Sequence, residues 1–121
     1  MIDDSVWNRL LRERAEHPLA FVDALRGRRR RSLLPADNRL LIVAADHTAR
    51  AILAAGAEPF AIANRRELLD RLTRALANPL VDGVLASADI IEELAWLGAL
   101  EEKVVFGTMN RGGYLGATWG L

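Results

Sequence analysis

The stretch "LLIVAADHTAR", residues 40–50, carries six apolar residues, Leu40 to Ala45, directly into an acid and an imidazole, Asp46 and His47. A continuous apolar run of this length is expected of a strand covered on both faces, as in a parallel sheet. Its ending on two adjacent ionisable groups has two readings. Asp46 caps a helix beginning near Thr48, or the pair does chemistry at the carboxyl end of a strand, where parallel α/β folds place their sites. Two neighbouring ionisable groups exceed what a cap needs. The functional reading is therefore preferred, with Asp46 and His47 as general acid, general base or substrate ligands.

Working outward, the pattern repeats. "TARAILAAG" (48–56) predicts a short helix ending at Gly56. "NRRELLDRLTRALANP" (64–79) predicts a stronger one. Asn64 with Glu67 makes a capping-box-like start, Leu68, Leu72 and Leu76 share a face, and Asn78-Pro79 stop it. "VDGVLAS" (81–87) predicts a second strand. "ADIIEELAWLG" (88–98) predicts a helix with Asp89 as cap and Gly98 as stop. "KVVFGTM" (103–109) predicts a third strand, and "NRGGYLGATWGL" is a Gly-rich tail. Strand, helix, strand, helix, strand means a parallel sheet with helical crossovers, an α/β fold.

Upstream, residues 1–27 predict two helices. The first is capped among Asp3, Asp4 and Ser5 and ends at His17-Pro18. Residues 28–39, "RRRRSLLPADNR", have no helical or strand periodicity and predict a basic loop. Residues 40–121 then hold the βα units. There is no internal repeat, and 121 residues suit one domain.

Composition narrows the function classes. Sixteen basic residues balance sixteen acidic ones, so overall charge makes no case for nucleic acid or an anionic membrane. The Arg28–Arg31 run is expected to be a solvated loop, or a segment ion-paired with nearby acids, rather than a nucleic-acid site. No apolar run reaches the roughly 20 residues of a membrane span. The absence of cysteine excludes disulfides and fits a cytoplasmic protein. Two distant histidines without cysteine make no metal-ligand spacing, and no metal or cofactor is expected. Fifteen of the basic residues are arginines, and Lys103 is the one lysine.

The three strand ends offer three candidate stations on one edge. The first is Asp46-His47. The second is Ser87 with Asp89, where Asp89 is first of all a cap. The third is Asn110-Arg111-Gly112-Gly113. There Arg111 can hold a phosphate or carboxylate in bidentate fashion and the glycines let backbone amides approach an anion. A plain turn is an equal reading of that last stretch. His17, before a proline at a helix end, is given no role.

With "IVAADHTAR", "VDGVLAS" and "KVVFGTMNRGG" the sequence resembles the aldolase-like (β/α)8 proteins of actinobacterial inositol and sugar catabolism. These are relatives of deoxyribose-phosphate aldolase and archaeal-type fructose-bisphosphate aldolase. Thr48 stands where that motif has proline or glycine. The resemblance implies the N-terminal part, about three βα units, of a TIM (β/α)8 barrel preceded by a helical segment. It also implies a class I lyase acting on a phosphorylated sugar or small carbonyl compound. Asp46 and His47 would be catalytic, and Ser87, Asp89, Asn110, Arg111, Gly112 and Gly113 substrate-binding.

That chemistry needs a Schiff-base lysine on a later strand. Lys103, at the amino end of the third strand with its ammonium toward solvent, does not replace it. The chain itself is expected to be inactive and to form a homo-oligomer through its open sheet edges. The alternatives are a non-catalytic α/β oligomerisation or interaction module and, more weakly, nucleic-acid binding through the arginines.

Overall fold

Helix α1, Asp4–Glu16, starts where the Asp3 carboxylate accepts a hydrogen bond from the Val6 amide at 2.8 Å. It ends at His17, whose amide donates to Glu13 O. Helix α2, Leu19–Gly27, follows Pro18 and buries Phe21 completely. The computed structural model describes residues 2–109. Strand β1 is Ile42–Ala44 and is followed by a 3-10 helix, His47–Arg50. Helix α3, Arg65–Ala77, is capped by the Asn64 side chain, which accepts from the Glu67 amide. It buries Leu68, Leu69, Leu72 and Leu76. Strand β2, Gly83–Ala86, helix α4, Ala88–Trp96, and strand β3, Val104–Gly107, complete the described elements.

The three strands are parallel, in the order β1-β2-β3. With right-handed crossovers this order puts α3 and α4 on one face of the sheet. Val43, Val84 and Val105 share one rung and pack into the core with the α3 leucines and Ile90, Ile91 and Leu94 of α4. Helix α2 lies against α4, where Phe21 stacks on Trp96 with centroids 5.7 Å apart. The opposite face of the sheet carries Ile42, Ala44, Leu85 and Phe106 by strand alternation. There Ala44 is exposed and Phe106 is 37% exposed.

Asp82 fastens the amino ends of the strands. Its amide donates to Leu41 O at 2.9 Å and its carbonyl accepts from the Val104 amide at 2.8 Å. Its carboxylate accepts from the Leu41 amide at 2.7 Å and from Arg31 at 2.9 Å. Those bonds, the Leu41 amide first, hold the Asp82 carboxyl below the usual carboxylate range.

Four expectations are corrected here. The basic run is not simply solvated; it is the ion-paired segment of the two readings. Arg28 donates to the carbonyls of Leu100 and Lys103, Arg29 pairs with Glu101 at 3.0 Å, and Arg31 pairs with Asp82. Lys103 does stand at the amino end of β3, but its ammonium folds back, donating to Val81 O at 2.6 Å and Asn78 O at 3.2 Å. Residues 48–56 do not form an α-helix. The 3-10 helix stops at Ala51, whose φ of 59° is left-handed, and only turns and a bridge between Ala55 and Glu58 follow. Strand β1 is not covered on both faces. The α/β alternation stands, but the described residues form a small open sheet with edge strands β1 and β3, and nothing in it is particular to a barrel.

Gly83 is required by contact. A Cβ built there would run into the Val104 carbonyl, whereas one at Gly107 would meet only the Ile91 side chain, at 3.8 Å. Gly83→Ala is expected to lower stability by about 2 kcal/mol or more, despite the entropic gain of losing a strand glycine. Gly107→Ala is expected to be near neutral, and urea denaturation of both variants checks the pair.

The depressed Asp82 carboxyl has a signed consequence. A carboxyl with a lowered folded-state pKa contributes stability above its unfolded value, about 4, and loses it as pH falls through the folded value. Asp82→Asn is therefore expected to be less stable than the parent at pH 7, with the difference shrinking below about pH 4. Denaturation midpoints across pH 2–7 test this, and a difference independent of pH would count against it.

Candidate functional site at the carboxyl edge of the sheet

The strand register decides which residues meet at the carboxyl edge. The Ala45 amide donates to Leu85 O at 2.7 Å, and the Thr108 amide donates to Ala86 O at 3.0 Å. Asp46, Ser87 and Thr108 therefore leave the three strands side by side. The structure thus brings together the first two predicted stations. Asn110, Arg111, Gly112 and Gly113 lie outside the described residues.

At the β1 station, Asp46 sits at the N-cap position of the 3-10 helix, but its side chain makes no cap hydrogen bond. The cap reading of this acid is not met. Its Oδ1 lies 3.9 Å from Nδ1 of His47, too long for a hydrogen bond and within reach of an ion pair when the imidazole is protonated. His47 is 40% exposed and Asp46 18%. The pair thus combines a mostly covered carboxylate with an accessible imidazole at the edge.

At the β2 station, helix α4 begins two residues earlier than a cap at Asp89 implies. Ser87 takes the N-cap position and Asp89 lies in the first turn, so Asp89 is not the cap. The Ser87 hydroxyl makes no cap bond to a helix amide and instead donates to Asp89 Oδ1 at 2.6 Å. The other Asp89 oxygen pairs with Arg65 at 2.8 Å. Burial alone would push the Asp89 carboxyl up. The Ser87 hydroxyl and the Arg65 guanidinium outweigh it and hold the group below the usual carboxylate range.

Behind Asp89 stands a charge network that sequence reasoning missed. Glu93 is 5% exposed, so its charge needs partners. Arg65 Nε donates to it at 2.8 Å and Arg14 at 3.3 Å, while Arg14 also pairs with Glu92 at 2.9 Å and covers the Phe21 ring at 3.8 Å. Carboxylates at helix positions four apart, such as Asp89 and Glu93, were the signal available in the sequence. Their arginines come from α1 and α3, which no local pattern reveals.

Thr108 was also missed at the β3 station. Its Oγ1 is buried and has no hydrogen-bond partner. A buried hydroxyl left unsatisfied is uncommon in a folded protein, and Arg28 Nε at the opposite edge is in the same position. No group of three or more metal-ligating side chains occurs among the described residues, and no helix among them is long and apolar enough to cross a membrane.

Comparison with known proteins adds a family. Residues 38–121 match the model of a family described as Cgl0159-like. The crystal structure of Cgl0159 from Corynebacterium glutamicum is similar to this chain with a TM-score of 0.88 and 49% identity. The match covers 94% of this chain and 39% of the other, so the chain spans less than half the length of that relative. No curated protein matches. The resemblance to class I aldolases is thereby corrected, because the family that matches is the Cgl0159-like one and not an aldolase family. The quoted motifs, the acid-histidine pair and the glycine-rich tail, are short and fit any parallel sheet with a site at its carboxyl edge.

Proposed function

The chain belongs to the Cgl0159-like family, and we propose that the carboxyl edge of its sheet is part of a binding site for a small hydroxylated carbonyl compound or a phosphorylated sugar. The observation that carries this reading is the register that sets Asp46, Ser87 and Thr108 side by side on three adjacent parallel strands. Open parallel sheets bind ligands at this edge because the strand-to-helix turns there leave side chains free of the ladder. Asp46 and His47 act as the acid–base pair and Ser87 holds a ligand hydroxyl, with Thr108 beside it on β3.

The test uses dihydroxyacetone phosphate as probe, with backbone amide shifts as readout. Shifts are expected to concentrate at residues 45–48, 86–89 and 107–109. Asp46→Asn is expected to weaken binding about tenfold, the loss of a hydrogen bond to a charged group. Shifts confined to other surfaces would sink the reading.

A second reading, a non-catalytic oligomerisation or interaction module, has its own observation. Among the described residues, the sheet face bearing Ile42, Ala44, Leu85 and Phe106 is partly open, with Ala44 exposed and Phe106 37% exposed, and β1 and β3 are the outer strands. On this reading the chain self-associates as concentration rises, and Phe106→Lys suppresses it. Sedimentation velocity checks this, and a monomer over the whole concentration range would count against it.

A further inference from the structure

Ser87 and Asp89 share one proton, and its owner is fixed by chemistry. Their oxygens lie 2.6 Å apart. An ionised carboxylate only accepts, so the proton between them is the hydroxyl's. Asp89 cannot turn away, because its second oxygen is held by Arg65 at 2.8 Å, and Arg65 is itself anchored to the buried Glu93. In this arrangement the Ser87 proton is committed to Asp89. Its lone pairs, by contrast, are unspent: it stands at the N-cap of α4 without bonding a helix amide.

We propose that Ser87 is a specificity-determining acceptor at this edge, taking a hydrogen bond from a hydroxyl of a neutral ligand and excluding an anionic group from the β2 station. An anion approaching Ser87 would meet lone pairs and the Asp89 carboxylate. The nearby cation gives it no help, since Arg65 is already engaged by Asp89 and Glu93. Nor does the positive end of α4, because Asp89 in the first turn already offsets it. A phosphate on the ligand must sit elsewhere. The inference rests on the carboxyl edge being a ligand site, and its test separates the two.

Dihydroxyacetone and inorganic phosphate, the neutral and the anionic half of the probe above, are titrated separately into the 121-residue chain. Amide shifts of residues 86–90 are followed. Dihydroxyacetone is expected to move them and phosphate to leave them unmoved. Ser87→Ala, which removes no cap bond, is expected to weaken dihydroxyacetone about fivefold, the effect of one neutral hydrogen bond. Ser87→Thr retains the acceptor and is expected to restore binding. Phosphate moving these amides as strongly as dihydroxyacetone would overturn the proposal. So would dihydroxyacetone binding that Ser87→Ala leaves unchanged while Asp46→Asn weakens it, and in that case the edge site stands. Silence of the whole edge toward both probes would overturn the proposal and the site reading together.

Discussion

A single residue, Asp82, sets where three parallel strands begin. Its backbone bonds to β1 on one side and to β3 on the other, and its carboxylate accepts from the Leu41 amide and from Arg31. Parallel strands have no tight turn to fix their register, so something else must. Here Asp82 fixes it at the amino end, with Gly83 next to it allowing the close approach of Val104. The rungs above follow in order, and so does the identity of the residues that emerge together at the other end, Asp46, Ser87 and Thr108. The make-up of the carboxyl edge is set from the other end of the four-residue strand β2, by a carboxylate that takes no part in it.

The two edges of the sheet are built differently. At the amino edge the charged groups named are tied to backbone or to an opposite charge, although Arg28 Nε is buried without a partner among the described residues. Arg28 and Lys103 hold carbonyls, Arg29 holds Glu101, and Arg31 holds Asp82. Charge-assisted bonds of this kind rigidify the strand ends and satisfy carbonyls that would otherwise be exposed. At the carboxyl edge, among the described residues, the Ser87 hydroxyl makes no cap bond and the His47 imidazole is accessible. A site needs polar groups held in place but not consumed, on rigid elements.

The order of elements was legible because periodicity is local. Asn64 with Glu67, the α3 leucines and the apolar runs of β1, β2 and β3 announced helix and strand correctly. The errors came where distant residues decide. Residues 48–56 looked helical by composition, but no face of them is buried: Ile52 is 47% exposed, and without burial a short segment does not hold a helix. The arginines at 28–31 read as solvent-facing because their partners, Asp82, Leu100, Glu101 and Lys103, lie more than fifty positions along the chain. For the site, the residue types were readable from the strand ends, but not their pairing. Ser87 and Asp89 were singled out, whereas the partners that immobilise them, Arg65, Glu93 and Arg14, are visible only once α1 and α3 pack against α4.

That immobilisation distinguishes the stations of the edge. At β2 a chain of contacts runs from Ser87 through Asp89, Arg65 and Glu93 to Arg14, whose guanidinium lies over the buried Phe21. The links from Ser87 to Glu93 are 2.6–2.8 Å, and the chain ends against the core, which holds the Ser87 hydroxyl toward Asp89. At β1 Asp46 and His47 are 3.9 Å apart and rest on a four-residue 3-10 helix closed by left-handed Ala51. A 3-10 turn is held by fewer and poorer hydrogen bonds than an α-helix, so it tolerates small displacements at lower cost. A fixed acceptor beside a more adjustable acid–base pair is a useful division. On the reading proposed above, the first orients a ligand by one hydroxyl, and the second shortens its contact when a proton moves.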